Sequence, residues 1–292
     1  MKYLCNDCPR KCGAKRSENN NLGGFCQMPL YPKIARAELH FWEEPCISGK
    51  NGSGTIFFSG CSLRCVYCQN FQISHLGGGE LKTPEQLADI MRELENKGAH
   101  NINFVNPTHY IWAIKEALKI YKPSIPLVYN SGGYDLESVI EEDLFDIYLL
   151  DLKYVSSDKS LKYSGISNYF EIAQKAIKAA YRLKDKAVIN NGIMQSGLII
   201  RHLVLPQNTN EALKVIDWFE ENAKNAYLSI MAQYIPCWKA DKYPELNRRI
   251  TRREYDKVID YLCNKDIKNV YIQSRLSASE DYIPAFNLGD NQ

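Results

Sequence analysis

Three cysteines stand close together in the sequence, at Cys61, Cys65 and Cys68, in a C-x3-C-x2-C pattern. They follow the apolar run 55–58 and the turn Ser59–Gly60, so we predict a short buried strand with the cysteines on the loop that leaves it. Three thiolates can hold three irons of a 4Fe–4S cube, and the fourth iron is then open to a small chelating ligand. A zinc knuckle and buried apolar cysteines are the alternatives for this spacing.

A second set of cysteines precedes the first, at Cys5, Cys8, Cys12 and Cys26. The residues between them are polar and too few to form a hydrophobic core, so metal binding would have to supply the folding energy of this segment. Four thiolates suit a zinc ion, which is our first expectation, or an auxiliary iron–sulfur cluster. We therefore predict a cysteine-rich metal-binding segment over residues 1–30, with four unliganded thiols as the alternative.

The residues around the first three cysteines resemble the radical S-adenosylmethionine (SAM) superfamily. The stretch reads Phe58-Ser-Gly-Cys61-Ser-Leu-Arg-Cys65-Val-Tyr67-Cys68-Gln-Asn, with an aromatic residue directly before the third cysteine. It is similar to the glycyl-radical-enzyme activases of that superfamily. The four cysteines ahead of it resemble an activase-like branch of pyruvate formate-lyase activating-enzyme homologues.

The resemblance implies a cofactor set and a type of chemistry. Cys61, Cys65 and Cys68 would ligate a 4Fe–4S cluster, SAM would bind the open iron, and Tyr67 would form a wall of the adenine pocket. In this superfamily an electron from the cluster cleaves SAM, and the resulting 5'-deoxyadenosyl radical takes a hydrogen atom from a substrate.

Apolar runs alternate with helical patterns from residue 55 onward. We predict strands at 55–58, 102–105, 126–129, 147–150, 198–204, 227–231 and 269–273, and helices near 84–97, 110–121, 136–142, 168–184, 209–223 and 251–263. Thr83 and Pro84 predict a capped helix start. Six βα units of this kind predict a parallel α/β sheet curved into a partial (βα)6 barrel, the fold that the resemblance also implies. We place this barrel at 55–235, a connector at 31–54 and a C-terminal extension or lid at 236–292.

Polar residues follow the predicted strands, and in barrel-like folds the site lies at the carboxyl ends of the strands. Solubility alone is the alternative reason for polar strand ends. Asp151 and Lys153 share one strand face, so they can pair, or Lys153 can hold the SAM carboxylate and Asp151 an amine of the substrate. Arg201 and His202 point to opposite faces, and we expect the smaller His202 to enter the barrel. The predicted catalytic residues are thus Asp151, Lys153 and His202, and the predicted SAM-binding residues are Asn106, Thr108, His109, Asn130, Ser131 and Gln233.

The resemblance implies a Gly-Gly-Glu stretch after the second strand that binds the SAM amino group. Gly77-Gly-Gly-Glu80 precedes the first predicted helix, so we do not assign it that role. The matching position is Asn106-Pro-Thr-His109, where Thr108 or backbone carbonyls would accept the amino protons. Glu80 is expected to be an exposed loop carboxylate.

Two classes of substrate compete: a glycine on a loop of a large partner enzyme, and a small molecule held in the barrel. The additional cysteines and the Asn-Pro-Thr-His stretch depart from the activase pattern, so we expect a small molecule. The specific hypothesis is queuine lyase activity, because Asn130, Gln233 and Asp151 suit a guanine-like edge and an amine. Two aromatic segments, Tyr234–Trp238 and Asp281–Phe286, are predicted to cover the pocket. A non-enzymatic iron–sulfur protein is the remaining alternative.

Composition and charge limit which partners and which cellular compartment we expect. The formal net charge is +2, with no run of basic residues that would indicate nucleic acid. No stretch of about 18 apolar residues predicts a membrane span, and the N-terminus has no apolar signal region. Ten cysteines in such a chain indicate metal binding rather than disulfides. We expect a cytoplasmic enzyme that receives electrons from a carrier such as flavodoxin or ferredoxin.

Overall fold

The computed structural model describes residues 3–278 and Phe286, and one large mixed sheet organises them. The strands are β1 (Tyr3–Leu4), β2 (Lys15–Arg16), β3 (Asn21–Leu22), β4 (Lys33–His40), β5 (Ser53–Phe58), β6 (Glu80–Leu81), β7 (Ile102–Val105), β8 (Leu127–Ser131), β9 (Ile147–Asp151), β10 (Val188–Asn190), β11 (Ile193–Leu203), β12 (Tyr227–Met231) and β13 (Val270–Ile272). The helices are α1 (Pro45–Ser48), α2 (Phe71–Ser74), α3 (Pro84–Asn96), α4 (Ile111–Ile120), α5 (Glu137–Ile140), α6 (Ser157–Ser164), α7 (Tyr169–Leu183), α8 (Thr209–Asn222) and α9 (Arg252–Cys263).

The large sheet has the strand order β13-β12-β11-β9-β8-β7-β5-β4-β6. Along this order the pairs from β13 to β5 are parallel, whereas β4 runs antiparallel to β5 and β6. The short strand β10 lies off this order and pairs antiparallel with β11. Helices follow the parallel strands, so the carboxyl ends of these strands meet at one rim. This arrangement confirms the predicted α/β class with a partial barrel. The small sheet β1-β2-β3 carries the N-terminal segment.

Helix α3 begins where the sequence predicts it. The Thr83 side chain accepts a hydrogen bond from the Gln86 backbone, and the Gln86 side chain accepts one from the Thr83 backbone in return. Pro84 then occupies the first turn, where its missing N–H costs nothing. Leu87 and Met91 are buried. Because the cap fixes where the helix begins, it also fixes that these side chains face the sheet.

The inner face of the barrel has an apolar layer below a polar layer. Residues two apart on a strand share a face, so Leu149 lies below Asp151 on β9 and Ile199 lies below Arg201 on β11. Leu149 and Ile199 are buried together with Ile47 of α1, which closes the lower end. The polar layer therefore stands on a rigid base and faces the rim.

The connector contains the strand that the loose alternation at 34–40 indicates and a helix that was not predicted. Residues 33–40 form β4, which lies between β5 and β6 rather than at the sheet edge, and Pro45–Ser48 form a short helix under the barrel. The helix Ser157–Ser164 was also not predicted. None of the helices in residues 3–278 combines the length and apolar character needed to cross a lipid bilayer.

Candidate active site

The loop that carries the three cysteines leaves the fully buried strand β5 through Ser59 and Gly60. Gly60 has a φ of +83°, and a Cβ there would meet the Met28 side chain at 2.2 Å, so only glycine fits this turn. Two hydrogen bonds hold the following residues of the loop in place. The Arg10 Nε donates to the Ser62 carbonyl at 2.8 Å, and the Val66 N–H donates to the Tyr163 carbonyl at 2.9 Å. The cysteines are therefore held by the barrel and by the N-terminal segment.

Cys61, Cys65 and Cys68 all line one cavity of about 250 Å³ at the carboxyl rim of the barrel. Burial raises the pKa of the Cys61 thiol and raises that of Cys68 to about 12. Metal binding at these sulfurs must therefore displace protons. Other side chains that line the cavity are His40, Trp42, Glu43, Phe57, Tyr67, Gln69, Asn106, Asn130, Ser131, Asp151, Lys153, Arg201 and Gln233.

Two cations and two carboxylates form the floor of this cavity. Asp151 accepts from the Lys153 Nζ at 2.5 Å and from the Arg201 Nε at 3.0 Å. The Arg201 Nη1 also donates to the Glu43 carboxylate at 3.0 Å. The Asn130 side chain joins the same network, because its amide donates to Glu43 at 3.0 Å and its oxygen accepts from Arg201 at 2.6 Å. The four charged side chains and Asn130 are thus held in fixed orientations by one another.

The network fixes the protonation of its members. Burial alone would raise the pKa of Asp151, but Lys153 and Arg201 outweigh it and hold that pKa below its usual value. Burial alone would lower the pKa of Lys153, but the Asp151 carboxylate outweighs it and raises that pKa. Asp151 is therefore a carboxylate and Lys153 an ammonium at neutral pH.

The prediction that His202 enters the barrel is wrong. The register sets Arg201 beside Asp151 on the inner face, so the next residue must point to the outer face. There the His202 Nδ1 contacts the Leu152 carbonyl at 2.7 Å, and burial lowers the pKa of the imidazole. His202 is thus a buried structural residue, and Arg201 takes the place predicted for it.

Two predicted SAM-binding residues also lie behind the cavity rather than in it. The Thr108 hydroxyl donates to the buried Asp135 at 2.7 Å. The His109 Nε2 contacts the Ser59 carbonyl at 2.8 Å, and burial lowers its pKa to about 3. The backbone turns at Asn106, which has a φ of +61°, and the residues beyond it pack under the cysteine loop.

The remaining predicted positions lie on the cavity wall. They are Tyr67, Asn106, Asn130, Ser131 and Gln233. Glu80 lies away from the cavity at the sheet edge, with 67% of its side chain exposed and paired with Lys82, as expected of a surface carboxylate.

Two contacts bear on the predicted lid. Trp238 of the first segment stacks on Phe71, three residues beyond Cys68, at 5.0 Å between ring centroids. Residues 281–285 of the second segment lie outside the described residues. Phe286 packs edge-on against Phe57, which lines the cavity, at 5.6 Å.

Sequence reasoning missed Glu43, which reaches the cavity floor from the connector below the barrel. No spacing pattern links it to the strand ends. The acidic pair Glu43–Glu44 directly before Pro45 is the signal that was present, because charged residues next to a buried helix start need partners inside the fold.

The N-terminal cysteines lie in one neighbourhood against the barrel. Burial raises the pKa of Cys8 to about 12, and the thiols of Cys26, Cys5 and Cys12 contribute to the same shift. The fully buried Arg16 donates to the Cys5 sulfur at 3.5 Å and to the His109 carbonyl at 2.8 Å.

Comparison with known proteins decides the family. Residues 55–219, more than half of the chain, match the Radical SAM superfamily. The chain belongs to the radical SAM superfamily. It is 31% identical over 280 residues to the uncharacterized protein MJ0674 of Methanocaldococcus jannaschii, covering 91% of this chain and 76% of that protein.

One further relative and one solved structure are similar to this radical SAM chain. The chain is 26% identical over 216 residues to a pyruvate formate-lyase-activating enzyme of Clostridium pasteurianum, covering 69% of this chain and 82% of that enzyme. The crystal structure of Streptococcus suis SuiB bound to precursor peptide SuiA superposes with a TM-score of 0.51 at 16% identity. That match covers 74% of this chain and 47% of the SuiB structure, and it supports the fold alone.

The superfamily implies a 4Fe–4S cluster and SAM, and the donor set fits them. Three thiols on one loop open into one cavity, with an ammonium and a guanidinium nearby. Within residues 3–278 no three His, Cys, Asp or Glu side chains converge on a point where they could hold a single metal ion. Ligands of a cube bind separate irons and need not converge in that way. Cys61, Cys65 and Cys68 would hold the cluster, which supplies an electron to SAM when it is bound.

Proposed function

We propose that this radical SAM enzyme forms a 5'-deoxyadenosyl radical that abstracts a hydrogen atom from a small molecule bound in the cavity. The observation that carries the proposal is the shared cavity: Cys61, Cys65 and Cys68 open onto the same space as Asp151, Lys153 and Arg201. Cluster, SAM and substrate would therefore meet within one volume walled by protein, and the walls limit the access of water to a radical. A one-electron carrier such as flavodoxin or ferredoxin is the proposed reductant.

Lys153 is the proposed partner of the SAM carboxylate. Burial raises the pKa of Cys61, and the Lys153 ammonium lies close enough to the cysteine loop to offset part of that rise, while Asp151 holds it in place. A cation beside the open iron suits the carboxylate of a bound amino acid. Asp151 is the proposed partner of an amine of the substrate.

Lys153→Met is expected to weaken SAM binding by about 10- to 100-fold, because a hydrogen bond to a charged group contributes about 1.5–3 kcal/mol. Equilibrium binding of SAM to the reconstituted protein measures the effect. Lys82→Met is the matched control: Lys82 also follows an acid by two residues and pairs with it at 2.6 Å, but it lies at the exposed sheet edge. Equal losses in both variants would show that Lys153 does not bind SAM.

The proposed substrate class is a small polar molecule, with queuine as the specific hypothesis. Asn130 and Gln233 present amides to the cavity, and Asp151 presents a carboxylate, which together suit a guanine-like edge and an amine. Cleavage of the C–N bond of queuine would leave 7-aminomethyl-7-deazaguanine. Phe286 against Phe57 supports a cavity covered by the chain itself.

The experiment for the substrate is incubation of the reduced enzyme with SAM and queuine. Formation of 5'-deoxyadenosine together with 7-aminomethyl-7-deazaguanine supports the hypothesis. The absence of both products with queuine would reject this substrate and leave the class of small molecules to be searched with related purine analogues.

A second candidate is activation of a glycyl-radical enzyme, favoured by the likeness to a pyruvate formate-lyase-activating enzyme. In that case the substrate is a glycine on a protein loop. A glycine-centred radical on a partner protein, formed only when this enzyme and SAM are added, would establish this candidate and overturn the small-molecule proposal.

The proposal includes a second metal site at Cys5, Cys8, Cys12 and Cys26. Four thiols suit a zinc ion, which is the first expectation, or an auxiliary iron–sulfur cluster. The buried Arg16 beside Cys5 would balance the negative charge of thiolate ligands.

Cys8→Ala is expected to remove the N-terminal metal and to lower the thermal unfolding temperature, while the metal at Cys61, Cys65 and Cys68 remains. Elemental analysis for iron, sulfide and zinc, with a melting curve, measures both effects. Cys263→Ala, at an exposed cysteine outside both groups, is the control. Unchanged metal content and stability in Cys8→Ala would show that no metal binds there.

A further inference from the structure

Each sulfur of the three-cysteine loop is in contact with a hydrogen-bond donor. The Leu63 backbone N–H donates to the Cys61 sulfur at 3.3 Å. The Ser164 hydroxyl lies 3.1 Å from the Cys65 sulfur, and the Ser74 hydroxyl lies 3.1 Å from the Cys68 sulfur. The donors come from the loop itself, from the end of α6 and from the end of α2, so each of the three sulfurs has its own donor.

The contact at Cys65 continues into a buried chain of hydroxyl groups. The Ser164 Oγ lies 3.1 Å from the Tyr154 Oη, which lies 2.7 Å from the Tyr67 Oη. Ser164, Tyr154 and Tyr67 are 4%, 1% and 5% exposed, so water has little access to these groups. Tyr67 also lines the cavity. The chain thus links the Cys65 sulfur to the cavity wall.

A cysteine bound to iron is a thiolate and can only accept hydrogen bonds. The Ser164 hydroxyl must then donate to the Cys65 sulfur, which leaves its oxygen free to accept from Tyr154. Tyr154 in turn has its oxygen free to accept from Tyr67. Ligation would therefore orient all three protons toward the sulfur, and donors aligned in series strengthen one another.

We infer that Ser164 is a positioning residue that raises the reduction potential of the cluster through the Cys65 sulfur, with Tyr154 polarising its hydroxyl. The inference rests on the proposed function, because it needs a cluster at this loop. A donor at a ligand sulfur stabilises the reduced cluster, which carries one more negative charge, more than the oxidised cluster.

The position of Ser164 is fixed from both sides. The α6 helix ends here with Gly165 in the left-handed conformation, at a φ of +64°. The Tyr163 carbonyl accepts from the Val66 N–H of the cysteine loop, and the Ser164 carbonyl accepts from the Arg10 side chain at 3.3 Å. The hydroxyl is therefore held at the sulfur by the backbone and does not depend on a flexible side chain.

The test is a redox titration of the reconstituted enzyme. The titration is monitored through the electron paramagnetic resonance signal that changes when SAM is added. Ser164→Ala is expected to lower the equilibrium constant for one-electron reduction of this cluster by about three- to tenfold, up to about 59 mV toward more negative potential. Tyr154→Phe is expected to shift it in the same direction by less, because the donor remains but is no longer polarised.

Ser160→Ala is the matched control, because the hydroxyl of this buried serine of the same helix donates to the Ser157 carbonyl at 3.1 Å. Resonance Raman spectra should show altered iron–sulfur stretching in Ser164→Ala and not in Ser160→Ala. A SAM-responsive cluster with the same potential in the wild type, Ser164→Ala and Tyr154→Phe would overturn this inference alone. A wild type without a SAM-responsive cluster would overturn the inference together with the proposed function.

Discussion

Replacing Cys61, Cys65 and Cys68 together by alanine is expected to abolish formation of 5'-deoxyadenosine from SAM by the dithionite-reduced enzyme. The three thiols are the cysteine sulfurs that line the cavity, so no other cysteine of the described residues can take over their irons. Product analysis by liquid chromatography measures the loss, which should reach the level of the protein-free control.

Two controls make this result specific. Cys263→Ala should keep wild-type formation of 5'-deoxyadenosine, because that cysteine is exposed and lies far from the loop in sequence. The triple variant should keep the metal of the N-terminal site, which shows that the chain has folded. Wild-type amounts of 5'-deoxyadenosine from the triple variant would contradict the proposed function.

Arg201→Met is expected to lower the free energy of unfolding by about 3–5 kcal/mol, because it leaves the carboxylates of Glu43 and Asp151 buried without their shared cation. Only 14% of the Arg201 side chain is exposed, so water can replace little of the lost interaction. Urea denaturation of the metal-free chain gives the stability, and turnover of the substrate should fall as well.

Arg182→Met is the matched control for this prediction. Arg182 also bridges two acids, Glu137 and Glu141, each at 3.0 Å, but 56% of its side chain is exposed. Exposed pairs contribute little, so no measurable change in stability is expected. If both variants lost the same stability, the buried network at the cavity floor would contribute no more than an exposed pair of ion pairs, which would contradict the prediction.

The parts of the fold that sequence alone predicted well are those with a clear pattern of apolar residues or a local capping signal. The β7 strand at 102–105 and the β12 strand at 227–231 lie where they were predicted, because apolar runs of that length between helical patterns have few other structures. Thr83 and Pro84 mark the start of α3 because capping depends on local chemistry alone. The cysteine loop was placed correctly for the same reason, since its spacing is local.

The parts that were missed depend on contacts between distant residues. The helix Ser157–Ser164 has few apolar residues, so its pattern is weak, and the contact between Ser164 and Cys65 spans 99 positions. Choosing His202 over Arg201 by size failed because two carboxylates, one of them from the connector, accommodate the longer cation. Which strand face is internal depends on the register with neighbouring strands, and one sequence does not show it.

The loop of Cys61, Cys65 and Cys68 is proposed to hold a cluster whose open iron binds SAM. The most direct measurement is the electron paramagnetic resonance spectrum of the dithionite-reduced, reconstituted enzyme before and after SAM is added. The predicted result is a 4Fe–4S signal that changes when SAM binds and that is absent from the triple alanine variant. A spectrum that is unaffected by saturating SAM, or a SAM-sensitive signal that survives in the triple variant, would contradict the claim.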